Sequence, residues 1–317
     1  MSGLGLRSPV MVASGCGGTG RELAPFTDLD GLAFVTRTLT SGARSGGPTP
    51  RLVESPSGFL NAVGLHNPGL TVFCETELRW LVRAGAQVFV SIAGSSLAEY
   101  AELSRSLGRT PGIAGVEVNL SVPDPEGAGV FDAREPYLAA SAISVVRREL
   151  PRDLPVLAKL RLDVSRAVET ARAVSEAGAS AVVLGNALPA AMPDGRPAGL
   201  SGPALRPVAL RCVLEVVRAL PGVAVIGAGG VESTDHAREH LRAGAVAVQV
   251  GTALLHDPTT VSRLVSDLAG APHLVRGSDS DHRDQHHHRD LHDHHAPDPH
   301  DPGRDHDRRT DLRSPAE

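Results

Sequence analysis

Eight short apolar or β-branched runs recur along the chain, at residues 9–15, 32–38, 87–94, 115–121, 155–160, 181–187, 223–229 and 245–252. Between them, residues 100–107, 137–150, 164–177, 205–220, 234–243 and 261–268 place apolar side chains at three- and four-residue spacing. Near-continuous apolar runs of this length suit strands buried on both faces, as in a parallel sheet, and the second spacing marks amphipathic helices. Eight such strands alternating with helices predict an α/β fold, a (β/α)8 TIM barrel, with an open doubly wound sheet as the competitor. The count of eight and the glycine-rich turns after the last two strands favour the barrel.

Two segments depart from the alternation. Residues 41–67 contain Gly-Gly-Pro-Thr-Pro and Ser-Pro-Ser-Gly, which predicts an inserted hairpin or ordered loop at the barrel mouth. Long loops inside compact domains usually carry function. From residue 278 onward the chain holds nine His, ten Asp and six Arg but only four apolar residues. Such a segment cannot bury enough surface to offset chain entropy. The expected organisation is a domain over 1–277 and a disordered His/Asp/Arg-rich tail over 278–317. Histidines at 286–288, 292, 294 and 295 could capture zinc or nickel, but an unselected low-complexity extension is the simpler reading, and no metal site is assigned.

The formal charge of −5 belongs to that tail, because the preceding residues balance 25 acidic against 25 basic side chains. A neutral body with 3% aromatics offers neither an electrostatic footprint for nucleic acid or anionic membrane nor a base-stacking platform. No apolar run approaches membrane-spanning length, and the N-terminus lacks the pattern of a secretory signal. Three scattered cysteines, Cys16, Cys74 and Cys212, suit a reducing compartment. A cytoplasmic location is the expectation.

One residue is singular. Of 31 basic side chains 30 are Arg and one is Lys, Lys159, which follows the apolar run Pro-Val-Leu-Ala. A position that keeps lysine in so arginine-rich a chain points to a need for a compact ammonium on a flexible stem, against chance survival on a surface. It falls at the C-terminal end of the fifth strand, on the face where barrels place their chemistry. A cation there could sit against the N1/O2 edge of a flavin and stabilise the anionic reduced ring. The turns after strands seven and eight read Ile226-Gly227-Ala228-Gly229-Gly230-Val231 and Val250-Gly251-Thr252-Ala253. Barrels bind phosphate at these turns, and glycine lets backbone N–H groups approach the oxygens.

Several stretches together resemble the dihydroorotate dehydrogenase family, over roughly residues 4–270. They are Pro-Val-Met-Val-Ala-Ser-Gly (9–15), Asn-Ala-Val-Gly-Leu-His-Asn-Pro-Gly (61–69), Ile-Ala-Gly-Ser-Ser (92–96) and Val-Glu-Val-Asn-Leu-Ser (116–121). Pro-Val-Leu-Ala-Lys-Leu (155–160), Gly-Leu-Ser-Gly-Pro-Ala (199–204), Ile-Gly-Ala-Gly-Gly-Val (226–231) and Ala-Val-Gln-Val-Gly-Thr-Ala (247–253) continue the match. The soluble NAD-linked class is the nearest in look. The resemblance implies FMN, oxidation of dihydroorotate to orotate in pyrimidine (UMP) biosynthesis, a homodimer, and an iron–sulfur/FAD electron-transfer subunit as partner. It implies FMN contacts at Ser14, Arg37, Thr38, Ser91, Asn119, Lys159, Gly185, Gly202, Gly229, Gly230, Gly251 and Thr252. It implies a substrate pocket of Asn61, Ala62, Val63, Gly64, Leu65, Asn119 and Asn186, whose amides can match a pyrimidine's donors and acceptors.

The match breaks at one point. The family's proton-accepting Cys or Ser, in Asn-x-Ser-(Cys/Ser)-Pro-Asn, is replaced in Asn119-Leu120-Ser121-Val122-Pro123-Asp124 by Val122. Valine takes no proton, so no catalytic base is assigned; Ser121, Cys16, Asp124 and His66 are the weak alternatives. Arg37, Ser91, Ala187 and Asp124 depart from the family's Lys, Asn, Thr and Asn in the same pocket. A kept cofactor cradle with an altered substrate end also fits a paralogue acting on another cyclic dihydro-amide, or a flavin-binding protein without turnover.

Overall fold

The computed structural model describes residues 3–124 and 126–269. The expected tail, with its histidines, lies outside them. The strands run β1 (Val10–Val12), β2 (Ala33–Val35), β3 (Leu52–Ser55), β4 (Gly58–Asn61), β5 (Gln87–Ile92) and β6 (Ile113–Asn119). They continue with β7 (Val156–Leu160), β8 (Ala181–Leu184), β9 (Leu188–Ala191), β10 (Pro197–Ser201), β11 (Val225–Ala228) and β12 (Ala247–Val250). The helices are α1 (Leu70–Glu75), α2 (Glu77–Arg83), α3 (Leu97–Leu107), α4 (Pro136–Glu149) and α5 (Ala167–Glu176). After these come α6 (Arg206–Ala219), α7 (Thr234–Arg242), α8 (Ala253–His256) and α9 (Thr260–Ala269).

Eight strands close a parallel barrel in the order β1-β12-β11-β8-β7-β6-β5-β2. Seven of the eight lie inside one of the apolar runs of the sequence and β6 begins two residues before its run at 115–121, so the (β/α)8 reading holds and the open sheet does not. Strand alternation then sorts side chains between two cores. On β7, Val156, Ala158 and Leu160 pack outward against the helical layer, while Leu157 joins Met11, Val35, Phe89, Val183 and Ile226 inside the lumen. Side chains two apart share a face, so Lys159 also points into the lumen. The same parity sends Glu117 and Asn119 of β6 and Gln249 of β12 inward, because Val116, Val118, Val248 and Val250 face the helices. A lumen is expected to fill with apolar layers; this one is apolar at the bottom and polar at the C-terminal end.

The insertion at 41–67 contains the hairpin β3–β4, as its turn residues suggest. A second hairpin, β9–β10, follows β8 and pairs with the first, giving an antiparallel sheet ordered β3-β4-β10-β9 over the mouth. The register sets Asn61 against Gly199 and Leu60 against Leu200. Arg196 ties the two insertions together, donating from Nη1 to the Pro48 carbonyl at 2.9 Å and from Nη2 to that of Pro50 at 3.0 Å. Glu99, in the first turn of α3, anchors the near end. Its carboxylate accepts from Ser41 Oγ at 2.6 Å and Ser95 N at 2.7 Å.

Candidate active site

Strand C-termini, the two glycine turns and the mouth sheet enclose a cavity of about 600 Å³, within the range of ligand and cofactor sites. Its floor is a hydrogen-bonded net. Asn119 Nδ2 donates to Thr38 Oγ1 at 3.1 Å, and Asn119 Oδ1 accepts from Asn186 Nδ2 at 3.1 Å. Thr38 Oγ1 also lies 3.4 Å from Ser14 Oγ and 2.9 Å from Ser91 Oγ. Asn61 Nδ2 donates to the Gly199 carbonyl at 3.0 Å, which fixes that amide against the mouth sheet.

Lys159 is buried, with its side chain 6% exposed. Its Nζ donates to Gln249 Oε1 at 2.8 Å and sits 3.4 Å from Glu117 Oε1. Surface survival is thereby excluded for the chain's single lysine. Arg37 also lines the cavity, and its Nε is buried without a hydrogen-bond partner. Such an orphan donor beside a cavity suits a bound acceptor.

Glycine turns at the strand ends keep their backbone close to neighbouring chain because they carry no Cβ. Gly230 has φ +67°, and a Cβ there would lie 2.7 Å from Arg206 Cβ. Gly185, with φ +140°, would put its Cβ 1.9 Å from the Ala228 carbonyl oxygen. Both positions therefore require glycine.

Of the residues that the resemblance implies for FMN, Ser14, Arg37, Thr38, Asn119, Lys159, Gly185, Gly202, Gly229, Gly230, Gly251 and Thr252 line this one cavity. Ser91 lies behind it, wholly buried, and touches it only through Thr38. Asn61, Ala62, Val63, Gly64, Leu65 and Asn186 line it as well. Two polar lumen residues escaped the sequence reading, Glu117 and Gln249. Their parity within strands 115–121 and 245–252, counted against the flanking valines, was the signal available.

Val122, which the resemblance sets at the family's base position, lines the cavity with an isopropyl group. Ser121 does not line it; its Oγ donates to the Lys159 carbonyl at 3.1 Å and accepts from Asn186 Nδ2 at 2.8 Å. Cys16 lines the wall, but burial pushes its thiol up to about 11, with the Lys159 charge only partly opposing. Asp124 spends one carboxylate oxygen on its own loop, accepting from Gly127 N at 3.0 Å. His66 Nδ1 lies 3.0 Å from the Ser45 carbonyl. Among the described residues no cluster of His, Cys, Asp and Glu is arranged to hold a metal ion.

Residues 1–271 match the family model for dihydroorotate dehydrogenase. The chain belongs to the dihydroorotate dehydrogenase family. Membership makes it an oxidoreductase of the class that acts on a CH–CH bond. The dihydroorotate dehydrogenase B (NAD(+)) catalytic subunit of Desulforudis audaxviator is 43% identical over 278 residues, 84% of this chain and 90% of that one. The protein of the same name from Pelobacter propionicus is 40% identical over 296 residues, 86% of this chain and 96% of that one. A solved structure of DHODH from Eimeria tenella in complex with ferulenol superposes with a TM-score of 0.72 at 21% identity, covering 83% of this chain and 81% of that one. At that identity the likeness speaks to the fold. No helix among the described residues is long and apolar enough to cross a membrane.

Proposed function

We propose that the chain binds FMN in this cavity and oxidises dihydroorotate to orotate in pyrimidine biosynthesis. The single observation that carries the reading is the buried Lys159 ammonium at the floor of a cavity whose far side is built from the two glycine turns. When bound, the flavin supplies the hydride acceptor, its N5. The protein's own groups do the rest. Gly229, Gly230, Gly251 and Thr252 would offer backbone N–H groups to the phosphate. Thr38 and Asn119 would hold the ring, and Lys159 would donate to its N1/O2 edge, where charge accumulates on reduction. Asn61, Asn119 and Asn186 would present amides to the substrate ring, and the paired hairpins would cover part of the mouth.

The relatives are named catalytic subunits, which supports a partner subunit; an iron–sulfur/FAD electron-transfer protein on a homodimer, in the cytoplasm, is the arrangement we propose.

Val122 favours a second reading. A positioned general base contributes ~10²–10⁴ in rate, and Val122 supplies none. A paralogue that oxidises another cyclic dihydro-amide would keep the cradle and alter the substrate end. The test is anaerobic addition of dihydroorotate to the purified protein. Rapid bleaching of the flavin supports dihydroorotate oxidation. Bleaching by other dihydropyrimidines alone supports the paralogue. Bound FMN that no such compound reduces marks a flavin-binding protein without turnover, and protein that takes up no FMN refutes the proposal outright.

A further inference from the structure

Glu117 has no part in the function described above, yet it is fully buried in the lumen one layer beneath the cavity floor. A buried carboxylate is costly unless it is paired, so its company matters. Gln249 Nε2 donates to its Oε2 at 2.5 Å, and its Oε1 has no hydrogen-bond partner. The one cation beside it is the Lys159 ammonium, at 3.4 Å from that second oxygen. The three residues come from β6, β7 and β12. In the closed barrel β12 lies across the lumen from β6, so the chain of contacts spans the barrel.

The direction of the bonds is fixed by chemistry. An ammonium only donates and a carboxylate only accepts. The Gln249 amide therefore turns its oxygen to Lys159 and its nitrogen to Glu117. Of the three ammonium protons, one goes to Gln249 and one faces Glu117, which leaves one for the cavity. Lys159 and Gln249 line the cavity while Glu117 does not. The carboxylate can therefore act on a bound group only through the other two.

We propose that Glu117 is a positioning residue for the flavin: acting through Gln249, it aims the Lys159 ammonium at the cavity and offsets part of its charge. The inference rests on the FMN reading above. Its consequence is a setting of the flavin potential. A lone ammonium would stabilise the anionic reduced ring strongly; one sharing its field with a carboxylate stabilises it less.

The experiment uses the full-length protein loaded with FMN and measures the potential by dye-coupled anaerobic reduction. Glu117→Gln keeps the volume and an oxygen that can accept from Gln249 but removes the charge. It should raise the ratio of reduced to oxidised flavin at a fixed poise by about tenfold, about 30 mV for a two-electron couple. Glu117→Asp keeps the charge and should leave the ratio within about twofold of the parent. A merely space-filling role predicts the reverse order, with Gln tolerated, Asp disruptive to folding, and the potential unmoved. If E117Q does not fold, Gln249→Leu provides the second arm. It leaves the ammonium to Glu117 alone, draws it from the cavity, and should lower the ratio several-fold. An unchanged ratio in whichever of the two folds overturns the proposal. Failure of the parent protein itself to take up FMN would instead refute the cofactor reading.

Discussion

Acid should unfold this barrel through one histidine. His240, on α7, lies against Gly227 of β11, wholly buried, with neither ring nitrogen hydrogen-bonded. It fills the space left by Gly227, where a Cβ would come within 2.4 Å of its Nδ1. Burial pushes its pKa from 6.5 down to about 4, with Arg206 and His236 adding to the fall and Glu239 opposing it. The folded form is therefore neutral where the unfolded chain already binds a proton. Stability from this group is intact above the unfolded value and falls as pH drops through 6.5 toward 4. With those two pKa values, moving from pH 8 to pH 5 costs about 2 kcal/mol, rising to about 3 kcal/mol well below pH 4. His240→Leu removes the titration and an unsatisfied polar ring together. The assay is urea unfolding of parent and variant at pH 8 and pH 5, read by circular dichroism. All other groups cancel in the double difference, the tail histidines included. The variant should be at least as stable at pH 8 and should gain about 2 kcal/mol on the parent at pH 5. Since β11 runs directly into Gly229 and Gly230, the parent should also release FMN over the same pH range. A double difference under about 0.5 kcal/mol would refute the reasoning, because it would mean that His240 is solvated or paired in the folded chain.

Three other expectations follow from the geometry. Val122→Cys places an ionisable group where the cavity has none and should raise dihydroorotate oxidation by ~10²-fold or more, read as the rate of anaerobic flavin bleaching; no gain would show that the pocket has diverged beyond the base. Gly185→Ala forces a Cβ onto the Ala228 carbonyl and a residue with a side chain into φ +140°, so it should cost at least about 2 kcal/mol in urea unfolding and weaken FMN binding. Burial alone would raise the Glu99 carboxyl, but hydrogen bonds from Ser41 and Ser95 hold it down at about 2; Glu99→Ala should cost about 2 kcal/mol and open residues 41–67 to limited proteolysis, detected by mass spectrometry.

What was legible in the sequence was local. Each barrel strand could be found because a parallel strand buried on both faces must be apolar along its length, as Ala181–Leu184 is. Lys159 stood out by residue type alone, and the glycine turns by their place after the seventh and eighth runs. The helices α1 and α2 were missed because each is short and their apolar positions are few: only Leu70 and Phe73 of α1 and Leu78 and Leu81 of α2 are buried. The hairpin β9–β10 was missed for a different reason. Its residues Leu188–Ala191 include a proline and alternate half-buried with exposed, and they become a strand only by pairing with the insertion.

Sequence by itself determined the eightfold alternation, the inward parity of each strand and the chemistry of every side chain, since these depend on neighbours two to four residues away. Only the tertiary structure decided that Glu117, Lys159 and Gln249 meet. They lie 42 and 90 residues apart in sequence, and barrel closure alone brings β12 across from β6 and β7. Closure is set by strand tilt and register summed over all eight strands, a property of the whole chain that no local pattern carries.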